Sequence, residues 1–263
     1  MPQSTMIDAS SLILPSWKAP QSVKAFATTR LGGLSSIPFN ELNLGTNAGD
    51  DPHLVQQNRM LLRAFLPSDP VWLKQVHGNH VSNPASRKNS PQGLFEADAA
   101  VTKSPNEVLA ILTADCMPVL FASKKGDVIG AAHAGWRGLS SGVLENTVRE
   151  MRTLSPGLSP QDISAWMGPA IGPESFEVGQ DVLEAFLSLG DDVVQKAFIP
   201  IKNTPGKYLA NLYLLAKYRL HAMGIESIDG GGFCTFTDSK RFFSYRRDGV
   251  TGRFASFIWI SPV

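Results

Sequence analysis

VLAILTADCMPVLFASKKGDVIGAAHA, residues 108–134, is the stretch on which the fold is read. VLAILTADC (108–116) is an apolar run of strand type, and PVLFAS (118–123) and VIGAAHA (128–134) are two more, the last pair joined by Lys124, Lys125, Gly126 and Asp127. Two short apolar runs around a glycine-containing turn predict a β-hairpin. Pro118 has no N–H to contribute, so regular pairing is expected to break there. Downstream the period changes. In LSSGVLENTVREMRTL (139–154), Val143, Leu144, Thr147, Val148, Met151 and Leu154 recur at helical spacing, predicting a helix over 139–154 capped by Ser140 or Ser141.

Working outward, helices are also expected over 180–189 and 208–223, and FASFIWI (254–260) reads as a closing strand buried on both faces. The Ser-, Asn- and Pro-rich segment 82–93 (SNPASRKNSPQG) is expected to be a surface loop, and residues 1–20 an N-terminal extension. Strands and helices mix without regular βαβ alternation, and no G-x-G-x-x-G joins a first strand to a helix, which disfavours a dinucleotide-binding fold. Residues 1–263 are therefore read as one domain of the α/β class with α+β character, its mixed sheets covered by helices.

Composition narrows the function. Hydrophobic residues make up 43% and charged residues 18% of 263, enough for a core and too apolar for wholesale disorder. A net charge of +1 with no long basic run argues against nucleic acid or an anionic membrane as partner. No apolar run reaches the ~18 residues of a membrane span, and no signal-peptide pattern opens the chain. Two cysteines, Cys116 and Cys234, cannot form a disulfide framework. A reducing, cytoplasmic setting is expected, in which cysteine is more often metal-binding or catalytic than bridging.

Three residues could carry chemistry together. His77, beside Gly78, follows the strand-like VWLKQV, where a side chain can leave a sheet for a cleft. Cys116 ends an apolar strand, beside Asp115, whose carboxylate needs a partner or water. His133 lies on the second arm of the hairpin, so it can converge with Cys116. Each has an ordinary structural reading alone, as a hydrogen-bonded histidine or a buried free cysteine. Together, two imidazoles and a thiolate supply three zinc ligands and leave a fourth position open, the composition of a catalytic site. Zinc would bring the pKa of a bound water to about 7. A metal-free Cys–His nucleophile pair is the main rival, and a purely structural zinc site a further one. Gly135-Trp136-Arg137-Gly138 leads into a helix N-terminus suited to phosphate. Arg30 before Gly32-Gly33 and Arg246-Arg247 before Gly249 are further anion-binding candidates, each also readable as a surface ion pair. His80 is a weaker candidate, Gly168–Pro173 (GPAIGP) a rigid turn, and Cys234 a packing residue.

These segments together resemble a known family: the zinc-dependent purine nucleoside phosphorylases with their peptidoglycan-editing branch, formerly labelled polyphenol oxidase or laccase-domain proteins. The resemblance rests on TTRLGGLS (28–35), NLGTNAGDDP (43–52), Asn58-Arg59, WLKQVHG (72–78), ADAAVT (97–102), TADCMPVLF (113–121), AAHAGWRG (131–138), GPAIGP (168–173) and YRRDGVTGR (245–253), in order from residue 28 onward. It implies mixed sheets between outer helices in αββα layers, and zinc held by His77, Cys116 and His133. It also implies phosphorolysis of adenosine, inosine or related nucleosides, with adenosine deamination in some members. Nucleoside and phosphate would then be the partners, with Arg30, Asn43, Arg137 and Arg246 as substrate-binding candidates. Two departures stand out: Asn211 where members often have aspartate, and Glu174-Ser175 where many have cysteine. Both could tune the substrate pocket.

Three activities compete. Phosphorolysis leads. Amide hydrolysis of a nucleotide-linked cell-wall precursor is the alternative, and needs no phosphate. A copper oxidase is the third, since His77, Cys116, His133 and Met117 form a His₂Cys(Met) set. With five histidines in the chain, a further trinuclear copper cluster is hard to supply, and copper binding is expected to be adventitious.

Overall fold

The structure, a computed structural model, describes residues 7–8, 11–88 and 95–262. The hairpin forms as expected: Met117–Ser123 pairs antiparallel with Ile129–Ala134. Pro118 does not end the ladder. It is the second residue of its strand, opposite His133, and its carbonyl accepts from Gly168 N at 2.8 Å. A proline near the start of a strand costs no ladder bond when its missing N–H is not one the neighbour needs. The break falls earlier, at Ala114–Cys116, where Asp115 takes φ 95°.

That break separates two sheets. Leu109–Thr113 belongs to a four-stranded antiparallel sheet in the order Leu12–Ile13, Val23–Thr28, Phe254–Ile260, Leu109–Thr113. Met117–Ser123 belongs to a mixed six-stranded sheet in the order Ser227–Gly230, Ile163–Met167, Met117–Ser123, Ile129–Ala134, Ala99–Thr102, Val81–Ser82. The two sheets face each other. Leu120, Ala122, Ile129 and Ala131 of one pack with Ala27, Leu109, Ile111 and Ile258 of the other. The alternate residues Val119, Phe121 and Ala132 pack outward, against helices Val143–Leu154 and Leu212–Ala222. On the far side, Phe26, Ala110 and Phe257 pack with Leu42, Leu44 and Leu62 beside helix Pro52–Leu61. Both central sheets are covered on two faces, which is why their strands read as continuous apolar runs. The layers run α, β, β, α, and the FASFIWI strand sits in the middle of its sheet.

Helix boundaries depart from expectation. The stretch 139–154 is not one helix: Trp136–Ser140 is followed by Val143–Leu154, and Gly142 at φ 91° turns the chain between them. Neither serine caps the second helix. Ser140 and Ser141 donate instead to the Arg137 and Gly138 carbonyls. The expected helix over 180–189 is Gln180–Glu184 and a 3₁₀ turn, Leu187–Leu189. Over 208–223 the first residues belong to strand Lys207–Ala210, and the helix starts after its N-cap, Asn211. In the expected 82–93 loop, Val81–Ser82 is an edge strand and Pro84–Lys88 a short helix, while 89–93 lie outside the described residues. Within residues 1–20, Leu12–Ile13 pairs as an edge strand, and 1–6, 9 and 10 lie outside the described residues. Among the described residues no helix is long and apolar enough to cross a membrane.

Candidate metal centre

The site forms where the chain crosses from one sheet to the other. Cys116 stands at that crossover, and His133 on the central strand beside it, as the hairpin register requires. His77 arrives from the loop after Leu73–Lys74. Gln75 fixes this loop: its side chain donates to the Leu112 carbonyl at 2.8 Å and accepts from Leu112 N at 2.9 Å, pairing with the strand backbone like an added residue. The donor atoms of His77, Cys116 and His133 all lie within 4.8 Å of one another. The two rings meet edge to face, 4.9 Å apart. His133 is buried, Cys116 half-buried and His77 exposed, so the cluster opens to solvent on the His77 side.

Local backbone serves this convergence. A Cβ on Gly135 would lie 2.8 Å from Cys116 Sγ, and one on Gly138 would lie 2.7 Å from the Gly78 carbonyl. His77 itself has φ 63°, a left-handed conformation uncommon for non-glycine residues.

Two carboxylates shape the site: Asp115, which the sequence marks beside Cys116, and Asp98, which it does not single out. Asp98, from ADAAVT, is fully buried, stands 2.8 Å from His133 Nδ1 and accepts from the backbone of Val76, His77 and Gly78. Burial alone would raise its carboxyl, but the hydrogen bond and charge of His133 and the backbone donors hold it below the usual range. Asp115 accepts from Thr235 Oγ1 at 2.6 Å and Arg246 N at 2.7 Å, while its carbonyl accepts from Ile171 N. It thereby ties the Cys116 turn to three other motifs. Both carry a signal readable in the sequence: an acid inside an apolar run needs a partner.

Electrostatics favour thiolate. Burial would raise the Cys116 thiol, yet the charge of His133 and hydrogen bonds from His133 and His77 bring it down to about 6. His133 moves the opposite way, to about 9: Cys116 and Asp98 outweigh its burial. A thiolate beside two imidazoles, one held by a carboxylate, fits a transition-metal ion. Among the described residues this is the one group of three or more such donors close enough to share an ion. His53, His80 and His221 lie outside it, and Met117 is buried in the helix-facing core.

The other candidates sort by what their side chains already hold. Asn43 is fully buried; it donates to Asp50 and accepts from Gly45 N and Arg253 N, so its bonding is spent inside the protein. Arg30 donates to Asn40 and Ser239 and lies over the Phe243 ring. Arg246, exposed, donates to the Glu177 carbonyl, and Arg247 to the carbonyls of Thr235, Phe236 and Phe242. Arg137 is exposed and stacks on Trp136, 4.3 Å from the ring centroid. The helix it opens has only five residues, Trp136–Ser140, so its dipole adds little. Arg253, not singled out in the sequence, is half-buried, and burial lowers its pKa while Cys116 and Asp115 oppose the shift. The Gly168–Pro173 turn is fastened at Gly168, Ala170, Ile171 and Gly172, the last donating to Cys234 Sγ at 3.2 Å.

The chain is similar to the Escherichia coli K12 protein named purine nucleoside phosphorylase YfiH, 49% identical over 253 residues, covering 95% of this chain and 99% of that one. It is 46% identical to purine nucleoside phosphorylase PA4543 of Pseudomonas aeruginosa, over 94% of this chain and 98% of that one. The crystal structure of the Neisseria meningitidis protein NMB0706 superposes with a TM-score of 0.87 at 42% identity, covering 96% of this chain and all of that one. The family model described as multi-copper polyphenol oxidoreductase laccase matches residues 24–261. With nearly its whole length matched and its metal-donor cluster assembled, the chain belongs to that laccase-domain family.

Proposed function

We propose that this chain is a zinc-dependent purine nucleoside phosphorylase that splits inosine, adenosine or a related nucleoside with inorganic phosphate. The observation that carries the reading is the solvent-open cluster of His77, Cys116 and His133 in a chain 49% identical to a protein of that name. A phosphate oxygen bonds to ribose C1′ as the bond from C1′ to the purine nitrogen breaks. The electron pair leaves with the base, which takes up a proton, and the products are free purine and ribose 1-phosphate. Zinc, when bound, supplies a Lewis acid without redox chemistry.

The chain's own residues position and balance charge. Arg137, whose guanidinium stacks on Trp136 with no hydrogen-bonded partner among the described residues and which follows Gly135 by two positions, is the foremost phosphate contact. Arg246 and Arg30 retain unused guanidinium N–H groups, whereas Asn43 acts as an internal strut. The test is the appearance of ribose 1-phosphate from inosine and phosphate with the zinc-loaded protein, and its loss in Cys116→Ala. Inosine and ammonia formed from adenosine would mark deamination at the same site.

One observation favours a second reading. Cys116, His133 and Asp98 follow one another as thiol, imidazole and carboxylate, the order of a nucleophilic triad. Such a triad suits hydrolysis of an amide in a nucleotide-linked cell-wall precursor. That reaction consumes water, needs no phosphate and survives metal removal, which separates it from phosphorolysis.

A further inference from the structure

Asp98 bonds to the segments carrying both histidine donors, although they lie far apart in sequence. One carboxylate oxygen, Oδ1, accepts from His77 N at 2.8 Å and stands 2.8 Å from His133 Nδ1. The other, Oδ2, accepts from Val76 N at 3.1 Å and Gly78 N at 2.7 Å. The Asp98 carbonyl accepts from His133 N at 2.6 Å as well. The side chain is 0% exposed, so no water substitutes for these bonds.

The consequences follow from chemistry. Three consecutive backbone N–H groups on one anion form a nest, and here the nest holds His77 at φ 63°. A carboxylate accepting at Nδ1 requires the proton there, which leaves the Nε2 lone pair for a metal. Each oxygen serves two donors, so an asparagine could satisfy one pair only and would turn an NH₂ toward the other. We propose that Asp98 is the positioning residue of the metal centre: its carboxylate selects Nε2 of His133 as the ligand and folds the His77 turn so that both imidazoles stand ready before the ion arrives. This rests on the metal-ligand assignment in the proposed function, and not on phosphorolysis.

The test measures metal binding. Zinc affinity is determined by competition with a chromophoric chelator for the full chain and for Asp98→Asn and Cys116→Ser, with absorption spectra of the cobalt(II)-loaded proteins. Asp98→Asn is expected to bind zinc about 10- to 100-fold more weakly, the range for losing an outer-shell partner, and to shift the cobalt bands while keeping a cooperative melt. Unchanged affinity and bands in Asp98→Asn, with affinity lost in Cys116→Ser, overturns the positioning role and leaves the ligand set standing. Unchanged affinity in Cys116→Ser overturns the ligand set itself. Should Asp98→Asn fail to fold, long-range ¹H–¹⁵N correlation spectra of the zinc-loaded native chain decide. The proposal requires a protonated Nδ1 and a metal-shifted Nε2 on His133, and ligation through Nδ1 overturns it.

Discussion

Removing the Cys116 thiol or the His133 ring leaves two of three donors, too few to hold an ion that needs at least three protein ligands. Cys116→Ala and His133→Ala are therefore expected to lose both bound zinc and turnover while still folding cooperatively, His133→Ala with the lower melt because it strips the buried Asp98 carboxylate of its partner. Stoichiometric zinc in either purified variant would strike that residue from the ligand set. Gly135→Ala probes the same place by crowding, because its new methyl would sit 2.8 Å from Cys116 Sγ. Its zinc affinity should fall at least tenfold, and an unchanged affinity would mean the thiol has room to move. Arg137→Ala should raise the phosphate KM several-fold and spare the nucleoside KM; unchanged phosphate dependence removes Arg137 from the anion site. The three donors were legible because histidine and cysteine at strand ends carry few ordinary roles at once. Asp98 was not, because its partners, residues 76–78 and 133, lie far from it in the chain.

Elements were legible where burial imposes a continuous pattern. The hairpin of 117–134 and the 254–260 strand stand in sheets covered on both faces, and their apolar runs say so. The sequence period carries no mark of which sheet a strand joins, so the division at Ala114–Cys116 emerged only in three dimensions. Helix starts were misread where a turn or short strand borrowed apolar residues from the following stripe. Gly142, at φ 91°, marks one such start. Gly142→Ala should destabilise by about 1–2 kcal/mol, the cost of a left-handed L-residue, seen as a lower denaturant midpoint at constant slope. Asn211 marks another, its side chain accepting from Leu214 N at 3.0 Å. Asn211→Ala should cost about 1 kcal/mol of stability, while Asn211→Asp, an equally good cap, should change little. Position 211 therefore serves as a helix N-cap, a role asparagine and aspartate fill alike. A nucleoside KM altered by Asn211→Asp would instead place the residue at the substrate.

At the scale of the molecule, two sheets packed face to face bring Cys116 and His133 to one end of the six-stranded sheet and leave His77 on the solvent side. The layers give the donors rigid supports, and Arg246, whose N bonds to the Asp115 carboxylate, belongs to the short helix Tyr245–Asp248 beside the Cys116 turn. Composition and patterning reached the fold class and the three donors. They did not reach the choice among reactions, because nucleoside phosphorolysis and hydrolysis of a nucleotide-linked amide both ask for a cleft, a metal or thiolate, and arginines. Phosphate separates them. The most direct measurement is the phosphate consumed per purine released when the zinc-loaded protein acts on inosine. Phosphorolysis predicts one phosphate for each purine and no release without phosphate. Purine release that consumes no phosphate, or no release at all, would contradict it.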